Sequence, residues 1–136
     1  MKFKIAQLSG DGIGPEVMAQ AVNVLEAVGK IYDHDFEIKS SLIGGIAIDK
    51  TGSALPGETL KLAKFSDAVL FGAVGDPKFD DPKIKVRPED GLLAIRKALK
   101  LFANLRPVRV YDELVDSTVF KPEVIQGIQA RGHPGC

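Results

Sequence analysis

The chain has 136 residues, 45% of them apolar and 26% charged. That length suits one domain with a core of its own, and that composition excludes a disordered, collagen-like or disulfide-scaffolded chain. Eighteen basic residues balance eighteen acidic ones, which removes the electrostatic case for a nucleic acid or an anionic membrane as main partner. Cys136 has no second cysteine to pair with, no signal-peptide pattern opens the chain and no run reaches membrane-span length. A reducing cytoplasmic setting is therefore expected.

Phe3, Ile5 and Leu8, with Ala6 between them, form an apolar run suited to a buried strand, and Gly10, Gly12, Gly14 and Pro15 stop it. From Glu16 the period changes: Met18, Ala21, Val22, Leu25 and Val28 recur at spacings of three and four, predicting a helix that ends near Gly29. Phe36, Ile38 and Leu42 to Ile43 suggest a second extended segment closed by Gly44 and Gly45, and Gly52, Pro56 and Gly57 mark a loop. A short helix over Leu60 to Phe65 and a strand over Ala68 to Phe71 follow. This alternation predicts an α/β fold with a mostly parallel sheet and flanking helices, because parallel neighbours need long crossovers.

Gly75 to Pro88 carries prolines at 77, 82 and 88 among lysines and little apolar periodicity, and is expected to be a long loop. A helix is predicted from Glu89 to about Phe102, then an extended segment over Leu105 to Val110, kept to an edge by Pro107. A helix could start after Pro122, but Gly127 cuts it, and Gln126 to Cys136 reads as a solvated tail with no further strand.

Two segments could carry chemistry. Gly10-Asp-Gly-Ile-Gly-Pro15 sits between a strand and a helix, where free N–H groups and the helix dipole favour an anion. It departs from the dinucleotide fingerprint: the third glycine comes one position early, Pro15 lacks an N–H, and no acidic residue ends the second strand. A structural tight turn accounts for these glycines about as well as a phosphate loop does. On the later helix, Glu89, Leu92, Leu93 and Arg96 fall at i, i+3, i+4 and i+7 on one arc, beside an apolar arc of Ile95, Ala98, Leu99 and Phe102 that should face the core. The first arc could hold a small ligand that is part apolar and part carboxylate, or Glu89 could simply complement the helix dipole and Arg96 be solvated. Arg106 is a second guanidinium just beyond. His34 and His133 have no partners at metal-ligand spacing and are expected to be solvated, and Asp80, Asp81 and Asp90 are not spaced as an oxygen cage.

Four ordered blocks, Gly10-Asp-Gly-Ile-Gly-Pro-Glu-Val17, Phe71-Gly-Ala-Val-Gly-Asp-Pro-Lys78, Arg87-Pro-Glu-Asp-Gly-Leu-Leu-Ala-Ile-Arg-Lys97 and Leu101-Phe-Ala-Asn-Leu-Arg-Pro107, resemble the N-terminal part of the 3-isopropylmalate dehydrogenases. The resemblance implies a fold that is α/β but not Rossmann, and an NAD-dependent oxidation and decarboxylation of 3-isopropylmalate in leucine biosynthesis, with Mg2+ or Mn2+. It implies that Arg96 and Arg106 hold substrate carboxylates, that Leu92 and Leu93 meet the isopropyl group, and that Ile13, Val74, Gly75 and Glu89 lie on the cofactor side. The two leucines favour isopropylmalate over isocitrate-like acids, which need a polar group there. Malate- or tartrate-type dehydrogenation, or a non-enzymatic oligomerising fragment, is the alternative.

On this resemblance, residues 1–103 are the N-terminal part of the first, cofactor-side domain, 104–128 begin the second, and 129–136 are a tail unlike the family. The third substrate arginine, the acid/base groups and the metal ligands of the family lie beyond this chain. The expectation is a truncated, catalytically inactive polypeptide that self-associates, with Leu105 to Val110 as a contact.

Overall fold

A computed structural model describes residues 1–106, 108–109, 111, 117, 119–121, 124 and 129–130. The chain divides into two units, Met1–Lys100 and Leu101–Cys136. In the first, β1 (Lys2–Gly10), α1 (Gly14–Tyr32), β2 (Asp35–Ser40), α2 (Gly45–Thr51), α3 (Gly57–Phe65), β3 (Ala68–Ala73) and α4 (Pro88–Ala98) follow in chain order. In the second, β4 (Val108–Arg109) and β5 (Gln129–Ala130) pair antiparallel.

The first unit is the expected α/β arrangement, a parallel sheet ordered β2-β1-β3 with helices against it. Register fixes which side chains share a face. Ala6 lies opposite Val69, and Leu8 opposite Phe71. On that face Leu8 meets Ile43, Ala63 of α3 and Ile95 of α4, with Leu55, Val69, Phe71, Val74 and Leu99 packed around them. The other face carries Phe3 and its partner Phe36, and Gly29 lets α1 lie on the Phe36 ring, which stands 3.3 Å from where a Cβ would be. Met18 of α1 is fully buried.

Several expectations are corrected. The second extended segment stops at Ser40, and Ile43 reaches the core from a loop. Between the Gly44–Gly45 pair and the Gly52 loop, where no element is predicted, lies α2, whose seven residues are too few to show a period. The Gly75 to Pro88 loop holds a single 3₁₀ turn, Pro77–Phe79. The later helix ends at Ala98: Lys100 takes φ +55°, which a helix cannot continue, so Phe102 is 87% exposed and not core. His34 is not simply solvated; its ring stands edge-on to Phe3 and Phe36 at 5.6 and 6.3 Å. Its Nδ1 is buried without a hydrogen-bond partner among the described residues. Gln129–Ala130, expected in a strandless tail, forms β5. The helix expected after Pro122 lies mostly outside the described residues, as do His133 and residues 131–136.

Candidate cofactor- and substrate-side site

In the order β2-β1-β3 the chain leaves β1 for one neighbour and later returns to the other, so the segments that follow β1 and β3 part at the carboxyl ends of these strands. Such a switch point is where open α/β sheets place ligands. Here it is built by the Gly10–Gly14 loop and the Val74–Gly75 turn.

Close backbone approach accounts for two of the loop glycines. Gly10 has φ +74°, and a Cβ on it would fall 1.9 Å from the Ala73 carbonyl oxygen. A Cβ on Gly14 would fall 2.1 Å from that of Ser9. The Asp11 N–H donates to the Ala73 carbonyl at 2.7 Å, tying the two strand ends together.

The residue that organises this corner is Asp11, which sequence reasoning passed over. It is only 7% exposed. Its Oδ2 accepts from Gly45 N–H at 2.7 Å and Gly75 N–H at 3.1 Å, and its Oδ1 accepts from Ile46 N–H at 2.7 Å. Helix α2 has no acidic residue in its own first turn, so Asp11 supplies the missing cap from 34 residues upstream. Three amide donors offset the cost of burying the carboxylate. Its only sequence signal is a lone acid inside a glycine turn.

A second tie holds the segment after Gly75. Lys78 Nζ donates to Asp49 of α2 and lies 3.3 Å from Asp76 Oδ2, while the Phe79 ring packs on Gly45. The Lys78 N–H bond and the ammonium beside it hold the Asp76 carboxyl below its ordinary range. The bond to Asp49, with help from Asp76, pushes Lys78 above its own.

Helix α4 begins where Pro88 tolerates a missing N–H and the Asp90 carboxylate accepts from Arg87 N–H at 2.8 Å. Its core face is Pro88, Gly91 and Ile95. The Glu89, Leu92, Leu93 and Arg96 ridge lies beside it, with Glu89 exposed, Leu93 62% exposed, and Leu92 and Arg96 half-buried. Arg96 and Glu89 form no ion pair among the described residues.

The fold brings several of the predicted positions together. The Glu89 carboxylate stands 3.6 Å from where a Cβ on Gly75 would lie, and Gly75 takes φ +134°. Val74 turns its side chain inward onto the core beside Gly10 and Gly44, so its contribution to a ligand would come from the main chain. Ile13, 63% exposed, stands at the start of α1. Arg106 is exposed and belongs to the second unit. Among the described residues no group of three or more His, Cys, Asp or Glu side chains gathers as a metal site.

Residues 4–130 match the family model described as isocitrate/isopropylmalate dehydrogenase. The chain belongs to that family. It is 60% identical over 127 residues to the 3-isopropylmalate dehydrogenase of Dehalococcoides mccartyi, covering 93% of this chain and 35% of that enzyme. Over 126 residues it is 58% identical to the 3-isopropylmalate dehydrogenase of Aquifex aeolicus, with the same coverage. The chain thus spans about a third of the length of the curated relatives it matches. Among solved structures it resembles a β-decarboxylating dehydrogenase from Thermococcus kodakarensis, with TM-score 0.61 and 37% identity over 79% of this chain and 30% of that one. It also resembles the isocitrate dehydrogenase of Methylococcus capsulatus, with TM-score 0.57 and 31% identity over 77% and 28% of the two chains. The isocitrate/isopropylmalate dehydrogenase match ends at residue 130, so it takes in β5.

Proposed function

We propose that this chain supplies the nicotinamide-side and part of the substrate-side surface of an NAD-dependent 3-isopropylmalate dehydrogenase acting in leucine biosynthesis. The observation that carries this reading is the α4 ridge: a carboxylate, two leucines and a guanidinium without an ion pair among the described residues, on one side of a helix whose other side is core, with Glu89 next to Gly75 at the strand switch point. Arg96 and Arg106 bind substrate carboxylates, because a guanidinium presents a planar fork of donors that matches them. Leu92 and Leu93 cover the isopropyl group and exclude water from it, gaining about 25 cal/mol per Å² of apolar area buried.

The residues at the switch point suit a dinucleotide. Among the described residues Gly75 has only the Glu89 carboxylate near its missing side chain, so a flat ring can approach its main chain, and Ile13 offers an exposed apolar edge. Bound NAD supplies a hydride acceptor; Glu89 and the Val74–Gly75 turn orient it. Among the described residues no group of three or more His, Cys, Asp or Glu side chains gathers to hold Mg2+ or Mn2+. On this reading turnover draws on residues from the remaining two thirds of the relatives' length, and the polypeptide by itself is expected to be inactive. It works in the cytoplasm; no helix of the described residues is long and apolar enough to cross a membrane.

The test is NADH formation from 3-isopropylmalate and Mg2+ by the purified chain, alone and mixed with a separately expressed polypeptide corresponding to the rest of the relatives' length. Turnover is expected only in the mixture, and turnover by the chain alone would refute the inactive reading. A folded but inactive mixture would count against the assignment as a whole.

A further inference from the structure

We infer that Asp11 is the positioning residue of the nicotinamide-side turn, its buried carboxylate fixing Gly75 against the first turn of α2. The inference deepens the proposed function and rests on it in reading Val74–Gly75 as cofactor-side. Capping α2 would need only the N–H groups of Gly45 and Ile46, yet Oδ2 takes Gly75 as well as Gly45. That third bond reaches 64 residues along the chain and sets where the turn stands relative to the helix. Gly75 sits at φ +134° at the head of a long loop, and it faces Glu89 across 3.6 Å. A displaced Gly75 would therefore change the space beside Glu89.

A Cβ on Gly44, which has φ +81°, would fall 2.5 Å from Oδ2. Gly44 and Gly45, which sequence alone reads as the end of a strand, are what lets the carboxylate reach the helix. Both oxygens of Asp11 accept from main-chain donors. Its action is through Gly75.

Asp11→Asn and Asp11→Ala separate this role from a general structural one. An amide oxygen placed where Oδ2 lies keeps the two donors Gly45 and Gly75 and gives up only Ile46; alanine gives up all three. In amide hydrogen exchange on the chain Met1–Cys136, Asp11→Ala should speed Gly75 roughly ten- to a hundredfold, the factor for losing a bond to a charged acceptor. Asp11→Asn should speed Ile46 while Gly75 stays close to wild type. In the active mixture, the KM for NAD should rise in Asp11→Ala and recover in Asp11→Asn, while the KM for isopropylmalate stays unchanged.

An unaltered Gly75 exchange rate in Asp11→Ala overturns the inference, and so does a faster rate with an unaltered KM for NAD. If the alanine chain does not fold, the asparagine chain decides, and a protected Ile46 with a fast Gly75 overturns the inference. A mixture inactive even with the wild-type chain defeats the functional reading and with it the cofactor part of this one. The exchange rates then still decide whether Asp11 holds Gly75.

Discussion

Gly91 shows how tightly single residues are held. A Cβ on it would come 2.5 Å from the main-chain oxygen of Ala54, so Gly91→Ala must push α4 off the loop before α3. We expect a loss of about 1–3 kcal/mol, typical of overpacking, measured as a lower urea midpoint. Gly57, at the start of α3, has nothing within 4 Å of a Cβ and no positive φ. Gly57→Ala should instead gain roughly 0.4–1 kcal/mol by restricting the unfolded chain. Leu93 is the position for substrate choice. In the active mixture Leu93→Ala should raise the KM for isopropylmalate about five- to tenfold, and Leu93→Arg should move preference toward isocitrate-like acids. Selectivity unchanged by Leu93→Arg would refute the pocket assignment. The α4 ridge was legible from sequence because its members recur at helical spacing within ten residues. Asp11 was not, because its three partners lie 34 to 64 residues away and nothing local announces them.

The elements themselves divide in the same way. Helices α1 and α4 declare themselves by period, and β1 and β3 by short apolar runs ended by glycine. Helix α2 does not: Gly44 and Gly45 look like a break, and what makes the segment helical is a cap from another loop and the Phe79 ring on Gly45. The end of α4 was misjudged because the apolar spacing runs on to Phe102 although Lys100 has already turned left-handed. The Lys78 tie between α2 and the loop gives a prediction at this scale. Both partners are exposed, so Lys78→Met should leave the unfolding midpoint almost unchanged. It should nevertheless speed local exchange at Lys78 and Phe79, as should high salt. The pH dependence has a definite sign. Asp76, with a lowered pKa, contributes fully above the ordinary aspartate range and loses its contribution as pH falls through the lowered value. Lys78, with a raised pKa, contributes fully below the ordinary lysine range and loses its contribution as pH rises through the raised value. The Phe79 ring shifts should therefore be flat across neutral pH and move at both extremes; a midpoint near neutrality would contradict this.

For the whole molecule, the sheet of the first unit has β2 and β3 at its margins, each with one side unpaired among the described residues. Val108–Arg109, part of the segment expected to mediate contacts, already pairs with Gln129–Ala130. Self-association, if driven by strand edges, should therefore involve β2 or β3 as well as the Leu105 to Val110 region. Light scattering should show a mass that rises with concentration; a monomer at every concentration would refute the expectation. The position of β1 has a consequence for how the protein is made. It is synthesised before both of its neighbours and is the middle strand of its sheet, with Ile5 paired to both Ile38 and Ala68. The ribosome therefore delivers the centre first and one flank last. Until the residues of β3 emerge, Ala6 has only β2 beside it and Leu8 lacks its strand partner Phe71, and closure of the sheet must wait for a contact more than sixty residues downstream.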